Sequence, residues 1–218
     1  MRPLTNTTPK PLLPIGGTPL LLHALSRLPL EVDEFIVVVN YLEEQFPEKL
    51  GTTIHNRPAT YLKQKERRGT YDAVASAKPL LSEGERFLVL TGDDIHDAES
   101  LAEMLRQPGR AMLTFEVDDS RPYGVLTIDE KEIVTSFEEK PENPKSNLVW
   151  AGALFLDTDI FKEVPHPHKN GEIYLTAAVH AQLSTHPVRA VRAKEWHTAT
   201  TPEDLKRLEE LLSPKAPQ

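Results

Sequence analysis

The sequence predicts an α/β fold built on parallel strands, and three observations carry that reading. Two stretches of strong strand character, Phe35-Ile36-Val37-Val38-Val39-Asn40 and Phe87-Leu88-Val89-Leu90, run apolar without a polar break, the first up to its closing Asn40, as strands covered on both faces do. Segments of helical periodicity lie between such runs, which is the rhythm of βαβ units. The second run stops at once in Thr91-Gly92-Asp93-Asp94, the way a buried strand meets the crevice at the carboxyl edge of an open sheet. Adjacent acids there are oxygen ligands for a hard cation such as Mg²⁺, which in turn bridges phosphate oxygens. Taken alone, Gly92-Asp93-Asp94 reads equally well as a strand-to-loop turn with a helix cap.

The totals bound the remaining possibilities. A chain of 218 residues suits one large domain, 1–218, with a small insertion, and can bury a sizeable core. No apolar run approaches the roughly 20 residues of a membrane span, and Met1-Arg2-Pro3-Leu4-Thr5 lacks the layout of a secretion signal, so a cytoplasmic protein with no membrane partner is expected. The absence of cysteine excludes disulfides and thiolate metal sites. A net charge of −8 argues against a broad nucleic-acid surface. A homo-oligomer is compatible with all of this.

Along the chain, Pro3, Pro9, Pro11 and Pro14 make residues 1–17 a stiff irregular loop. Lys10, held between two of those prolines, loses little backbone entropy on meeting an anion, although a solvated loop lysine reads the same way. Thr18 is expected to cap a helix through about Leu28, with Leu21, Leu22, Leu25 and Leu28 as its apolar stripe. A short helix is expected over Tyr41–Leu50 and a strand over Ala59–Lys63. Gln64, Arg67-Arg68-Gly69-Thr70 and a helix over Asp72–Leu81 come next. Gly69 and Thr70 would leave backbone N–H groups facing a ligand, with Gln64 offering a donor and an acceptor to a base edge, unless the pair is simple capping.

After the central strand, Asp97–Gln107 reads as a helix and Ala111–Val117 as a strand. The rhythm then changes. Tyr123–Ile128 and Glu132–Phe137, parted by Asp129-Glu130-Lys131, read as a hairpin, and a strand containing Gly152 follows at Leu148–Leu156. Glu139 and Lys140 beside Pro141 are either a solvated charge run or groups for sugar hydroxyls and a phosphate. Glu172–Leu183 is a helix, Val188–Ala193 a late strand, and Pro202–Leu212 a closing helix capped by Thr201. The histidines are too dispersed for a zinc site, and no serine sits in a nucleophile elbow.

Taken together, these stretches resemble the sugar-1-phosphate nucleotidyltransferases. The likeness runs in order through Arg2-Pro3-Leu4-Thr5, Pro9-Lys10-Pro11-Leu12-Leu13-Pro14, Gln64 with Gly69-Thr70, Leu90-Thr91-Gly92-Asp93, Tyr123-Gly124-Val125, Glu139-Lys140-Pro141 with Ser146-Asn147, Gly152, Gly171–Thr176 and Trp196 ahead of Thr201–Leu205. The resemblance implies a Rossmann-like three-layer α/β/α sandwich with a mostly parallel sheet and a sugar-binding β insertion at about 118–157. It implies Mg²⁺ as cofactor, with a nucleoside triphosphate and a sugar 1-phosphate as partners. Carried over by position, Arg2, Lys10, Gln64, Gly69, Thr70 and Asp93 would bind the nucleotide, Asp93 as the metal ligand. Gly124, Glu139, Lys140, Gly152 and Glu172 would hold the sugar phosphate, and Lys10, Asp93 and Lys140 would form the catalytic set.

Two departures accompany the likeness. The family opens with a strand and a Gly-x-Gly-Thr-Arg loop immediately before Arg-Pro-Leu-Thr, and here the chain starts one residue ahead of Arg2. Met1 is therefore read as an internal methionine. The missing strand would leave residues 35–40 and 87–92 separated by about 9–10 Å, twice the interstrand spacing. In addition, Trp196-His197-Thr198 carries Thr198 where many relatives have a second metal-binding aspartate, and a hydroxyl is a poorer Mg²⁺ ligand than a carboxylate. A catalytically silent relative, binding a nucleotide sugar or regulating an active partner, is the alternative.

Overall fold

The computed structural model describes Met1 and residues 3–212. In chain order its elements are β1 (Pro14–Ile15), β2 (Thr18–Pro19), α1 (Leu20–Leu25), β3 (Phe35–Val39), α2 (Gln45–Leu50), β4 (Thr53–Ile54), β5 (Arg57–Lys63) and α3 (Thr70–Ala75). There follow β6 (Arg86–Leu90), β7 (Asp94–His96), α4 (Ala98–Leu105), β8 (Arg110–Glu116), β9 (Gly124–Ile128), β10 (Val134–Glu139) and β11 (Leu148–Asp157). The chain closes with α5 (Leu175–Gln182), β12 (Val188–Arg192), β13 (Trp196–Thr198) and α6 (Pro202–Leu212).

Three layers follow from how the strands alternate their side chains. On β8, Ala111 and Leu113 join the core beneath α1, α2 and α4, whereas Met112 joins the one beneath α3 and α5. Each fully buried Leu or Met in these clusters contributes about 1.5–3 kcal/mol, so both sheet faces hold their helices firmly. A third, smaller cluster seats Leu208 of α6 against Ile15, Leu20, Ile95 and Ala199. The closing helix is capped as its sequence predicts: Thr201 Oγ1 accepts from Asp204 N at 3.1 Å and Asp204 Oδ2 from Thr201 N at 2.7 Å.

The sheets are mixed, in contrast to the mostly parallel arrangement expected. β3 with β5 and β8 with β12 are parallel, whereas β6, β8 and β9 all run antiparallel to β11. The cause is the insertion. Its hairpin of β9 and β10 returns the chain into β11 against the direction of the strands already laid down, and β6 takes β11 as its partner. The helix expected from Thr18 begins later, because Thr18 and Pro19 pair with Ile15 and Pro14 as a short ribbon.

β3 and β6 do not pair with each other. Between them lies an apolar slot of about 580 Å³, walled by residues such as Leu21, Phe46, Val74 and Leu105 from helices on both faces. Its position matches the gap expected between the two runs, and it leaves Phe87–Leu90 half-buried where a fully covered strand was expected.

Candidate active site

The site is organised by a fork in β11. Its first half pairs with β9 at Val149–Val125, and from Ala153 onward the same edge pairs with β6. Gly152 sits at the parting, at φ +78°, a left-handed conformation that side chains resist. A Cβ there would lie 2.9 Å from Asp94 Cγ and closer still to its carboxylate oxygen. The carbonyl of Gly152 accepts from Thr91 N at 2.9 Å, which ties the end of β6 into the fork. Glycine is thus required twice over, by backbone twist and by the close approach of the acid.

Asp93 leaves the tip of β6, where its carboxylate is paired with Lys10. Side-chain exposures of 25% for Lys10 and 32% for Asp93 leave both groups reachable from solvent. The backbone carbonyl of Asp93 accepts from Ala199 N at 3.0 Å, and Pro11 packs where a Cβ on Gly92 would go, 3.2 Å away. Asp94 turns the other way and is buried, hydrogen-bonded to the Thr91 hydroxyl. Burial pushes its carboxyl up to about 7, with the charge of Asp93 adding to the rise and hydrogen bonds from Thr91 and Thr198 opposing it. Thr198 faces Asp94 directly across the β7–β13 ribbon.

The insertion brings its own groups to the same fork. Glu139 lies opposite Gly124 in the hairpin register and accepts from the Thr176 hydroxyl at 3.2 Å. A Cβ on Gly124 would press on Phe137 and on Thr176. Lys140, 58% exposed, sits 3.6 Å from Glu139, and its backbone N–H donates to Tyr123 O at 3.0 Å. The Tyr123 ring packs at 5.4 Å on Trp196, the residue that opens β13. Through Tyr123, Trp196 and the β7–β13 ribbon, Lys140 is therefore connected to the Asp93-Asp94 corner.

The second group of expected residues clusters beside α3. Gly69, at φ +107°, approaches the backbone of Ile173 so closely that a Cβ would lie 2.8 Å from its nitrogen. Tyr71 N donates to Ile173 O at 3.0 Å and Leu175 N to Thr70 Oγ1 at 2.9 Å. Residues 173–176 therefore touch α3 at one end and Glu139 at the other. Glu172 is held by Tyr174 and by Asn170 Nδ2 at 3.1 Å. Gln64 is buried, and both ends of its amide are engaged within the protein, by Asn40, Asp72 and Gly69. Arg2 lies outside the described residues.

At Asp93 the one accessible carboxylate is the kind of oxygen donor a hard cation takes, and the Lys10 ammonium pairs with it here, whereas Asp94 is turned away and buried. Among the described residues, the one three-ligand grouping is elsewhere, at Asp157, Asp159 and His186. Arg110 and Lys162 already neutralise those acids. Sequence reasoning gave no role of their own to Asp72, Thr91, Tyr123 and Thr176. Thr91 closes the apolar run at Leu90, and Tyr123 and Thr176 lie within motifs that carry the resemblance, but nothing local says what they touch.

The nucleotidyl transferase family model matches residues 1–211. The chain is 34% identical over 209 residues to the bifunctional protein GlmU of Methanocaldococcus jannaschii, a match covering 94% of this chain and 49% of that protein. It is 29% identical over 230 residues to the UTP–glucose-1-phosphate uridylyltransferase AglF of Haloferax volcanii, covering 100% and 93%. Among solved structures, a putative glucose-1-phosphate thymidylyltransferase from Bacillus anthracis superposes with a TM-score of 0.85 at 25% identity, covering 100% of this chain and 92% of the other. The chain spans about half the length of the GlmU proteins it matches. Among the described residues no helix is long and apolar enough to cross a membrane. A family match across nearly the whole sequence, on an α/β scaffold that such structures share, means that this chain belongs to the nucleotidyl transferase family.

Proposed function

We propose that the chain transfers a nucleotidyl group from a nucleoside triphosphate to a sugar 1-phosphate, giving a nucleotide sugar and pyrophosphate. The observation that supports this reading is the fork at Gly152, where β6, which leads to the Lys10–Asp93 pair, and β9, which leads from Gly124 opposite Glu139, both pair with β11. A phosphate oxygen of the sugar phosphate attacks the α-phosphorus, the new P–O bond forms, and the bond to the β-phosphate oxygen breaks as pyrophosphate leaves. No covalent enzyme intermediate is required, because the barrier lies in bringing two anions into line.

In this reading the Lys10 ammonium, freed from Asp93, neutralises the triphosphate, and Lys140 does the same for the sugar phosphate. Glu139 and Glu172, already oriented by Thr176 and by Tyr174 with Asn170, accept from sugar hydroxyls. Gly69, Thr70 and Arg2 belong to the nucleotide side. The segment at about 118–157 serves as the sugar-facing insertion, and Gly152 lets it close against the acid corner. Mg²⁺, when bound at Asp93, supplies charge neutralisation between the two phosphates.

One alternative has a specific observation behind it. Thr198 faces Asp94 where a carboxylate would strengthen cation binding, and the slot beside β6 is open; both favour a silent relative that binds nucleotide sugars without turnover. Pyrophosphate release, measured with Mg²⁺ over a panel of triphosphates and sugar 1-phosphates, separates the two. Turnover of any pair that falls at least a hundredfold in Asp93→Asn and Lys10→Ala supports the transferase. Binding of a nucleotide sugar without turnover of any pair supports the silent relative.

A further inference from the structure

Helix α5 grips the edge of the insertion at two points one helical turn apart. Thr176 and His180, four positions apart, stand on one face of that helix. The Thr176 hydroxyl donates to Glu139 at 3.2 Å, and His180 Nδ1 accepts the backbone N–H of Phe137 at 3.1 Å. One turn of helix, about 5.4 Å, and two residues of strand, about 6.8 Å, are close enough in length for both contacts to form together. The second contact fixes the state of the imidazole. A backbone N–H only donates, so Nδ1 must offer its lone pair, the proton lies on Nε2 and the ring is neutral. β10 is the end strand of its sheet, so no neighbouring strand takes this N–H in place of the ring. Phe137 itself is 2% exposed, its ring set at 6.1 Å against Trp150 and in the space a Cβ on Gly124 would need. From Phe137 the chain runs two residues to Glu139 and three to Lys140.

We propose that His180 is a positioning residue for the sugar-phosphate half of the site, and that it serves only while its ring is neutral. A second proton, on Nδ1, would set one N–H against another. The Phe137 amide then loses its acceptor, the edge of β10 parts from α5, and Glu139 and Lys140 at its end lose their register with Gly124. Charged and titratable groups on the elements packed against α5 are engaged elsewhere. On β10, Glu138 pairs with Lys145 and Glu139 with Lys140; on α3, Asp72 pairs with Arg68 and the Tyr71 hydroxyl donates to Glu163 O. Asp159, in the turn after β11, holds Lys162 and His186, Arg110 of β8 holds Asp157, and Arg189 of β12 donates to Lys131 O. Among the described residues no carboxylate pairs with His180, so nothing holds a charged ring in the place the neutral one occupies. The inference rests on the nucleotidyl-transfer reading and adds a residue to its sugar-phosphate side. One hydrogen bond of this kind corresponds to roughly a threefold to tenfold effect.

The test is pyrophosphate release with Mg²⁺, on whichever triphosphate and sugar 1-phosphate the wild type turns over, in wild type, His180→Ala and His180→Asn. His180 is exposed, so neither substitution empties the core. Asparagine sets an amide oxygen about where Nδ1 stood, and that oxygen takes up no proton. At about pH 7.5 His180→Ala should raise KM for the sugar phosphate threefold or more and leave KM for the triphosphate within twofold, while His180→Asn returns both to within twofold of wild type. As pH falls to about 5.5, through the range where imidazoles charge, the wild-type KM for the sugar phosphate should climb threefold or more beyond that of His180→Asn, which retains every other titrating group, the substrates' included. Hydrogen exchange at the Phe137 amide reports the bond itself: its protection should fall threefold or more in His180→Ala and persist in His180→Asn. Wild-type KM and protection in His180→Ala, a His180→Asn protein no better than His180→Ala, or one with the wild-type pH response, overturns the positioning role and leaves nucleotidyl transfer standing. Absence of turnover with every pair overturns the parent reading, and this one with it.

Discussion

Replacing Gly152 by alanine tests the fork most directly, because two independent costs meet at one atom. At φ +78° an L-residue is strained by about 1–2 kcal/mol. The new Cβ would also drive Asp94 off the Thr91 hydroxyl, leaving a buried polar group short of a partner at about 1–3 kcal/mol. A loss of about 3 kcal/mol follows, and for a chain of this size that lowers the Tm by about 6–12 °C in a thermal melt followed by circular dichroism. Combining Gly152→Ala with Asp94→Ala separates the terms. The contact with the acid disappears, while the backbone strain and the close approach of the new Cβ to the Thr91 hydroxyl stay, so the double variant should lose about 1–3 kcal/mol less than the sum of the singles. A Gly152→Ala protein that melts within about one degree of the wild type, or a double variant that is merely additive, would refute the argument that β11 parts here because glycine alone fits.

Other parts of the structure make equally definite statements. Asp94, raised from 3.8 to about 7, holds its proton in the folded state while the unfolded chain has released it. Stability therefore falls as pH climbs from about 4 to about 7, by up to roughly 4 kcal/mol, and Asp94→Asn should flatten that slope in melts taken across the range; an unchanged slope would contradict it. Arg110, 2% exposed, holds Asp157 through two bonds of 2.9 and 2.7 Å and Gln182 through a third of 2.7 Å. Asp157→Ala leaves that guanidinium uncompensated and should cost about 3–5 kcal/mol in urea unfolding, whereas a loss under about 1 kcal/mol would show that the pair carries little. Thr198→Asp places a further carboxylate opposite Asp94, so its Tm should drop below wild type in EDTA and rise more steeply with Mg²⁺. Along β6, amides directed to β11 should be protected from hydrogen exchange and the alternate ones, facing the slot, should exchange far faster.

Local chemistry made much of this legible. An apolar run bounded by turn residues announces a strand wherever it pairs, so β3, β5, β6, β8 and β11 fall close to their expected positions. The Thr201 cap of α6 acts within one helical turn and was readable for that reason, and α4 begins within a residue of its expected start because Asp97 accepts from Ser100 N. What escaped depends on partners far along the chain. The β7–β13 ribbon joins residues 94–96 to 196–198 through three-residue strands that carry no periodicity of their own. The direction of β6 against β11 is set by the route through the insertion, which strand-like composition does not encode. Gln64 was legible as an amide at a strand end but not as one already engaged, since Asp72 reaches it from the following helix and Asn40 from the neighbouring strand.

The slot and the site share β6, and the way that strand is held explains how they coexist. Along its middle, β6 has one hydrogen-bonded neighbour, β11, and an open edge. Its carboxyl end is pinned by four contacts from three parts of the chain: Gly152 O accepts from Thr91 N, Pro11 abuts Gly92, Ala199 N donates to Asp93 O, and Lys10 pairs with the Asp93 carboxylate. Movement of the open edge is therefore resisted before it reaches Asp93. In the metal-ligand role proposed for Asp93 that restraint matters, because a ligand that wanders loses geometry faster than it loses charge. The same four contacts lie on the loops and strand ends that carry Lys10, the fork of β11 and the β13 ribbon. An anion approaching Lys10 consequently meets a corner whose position is fixed by the fold as a whole, and least of all by the half-open strand that bears the acid.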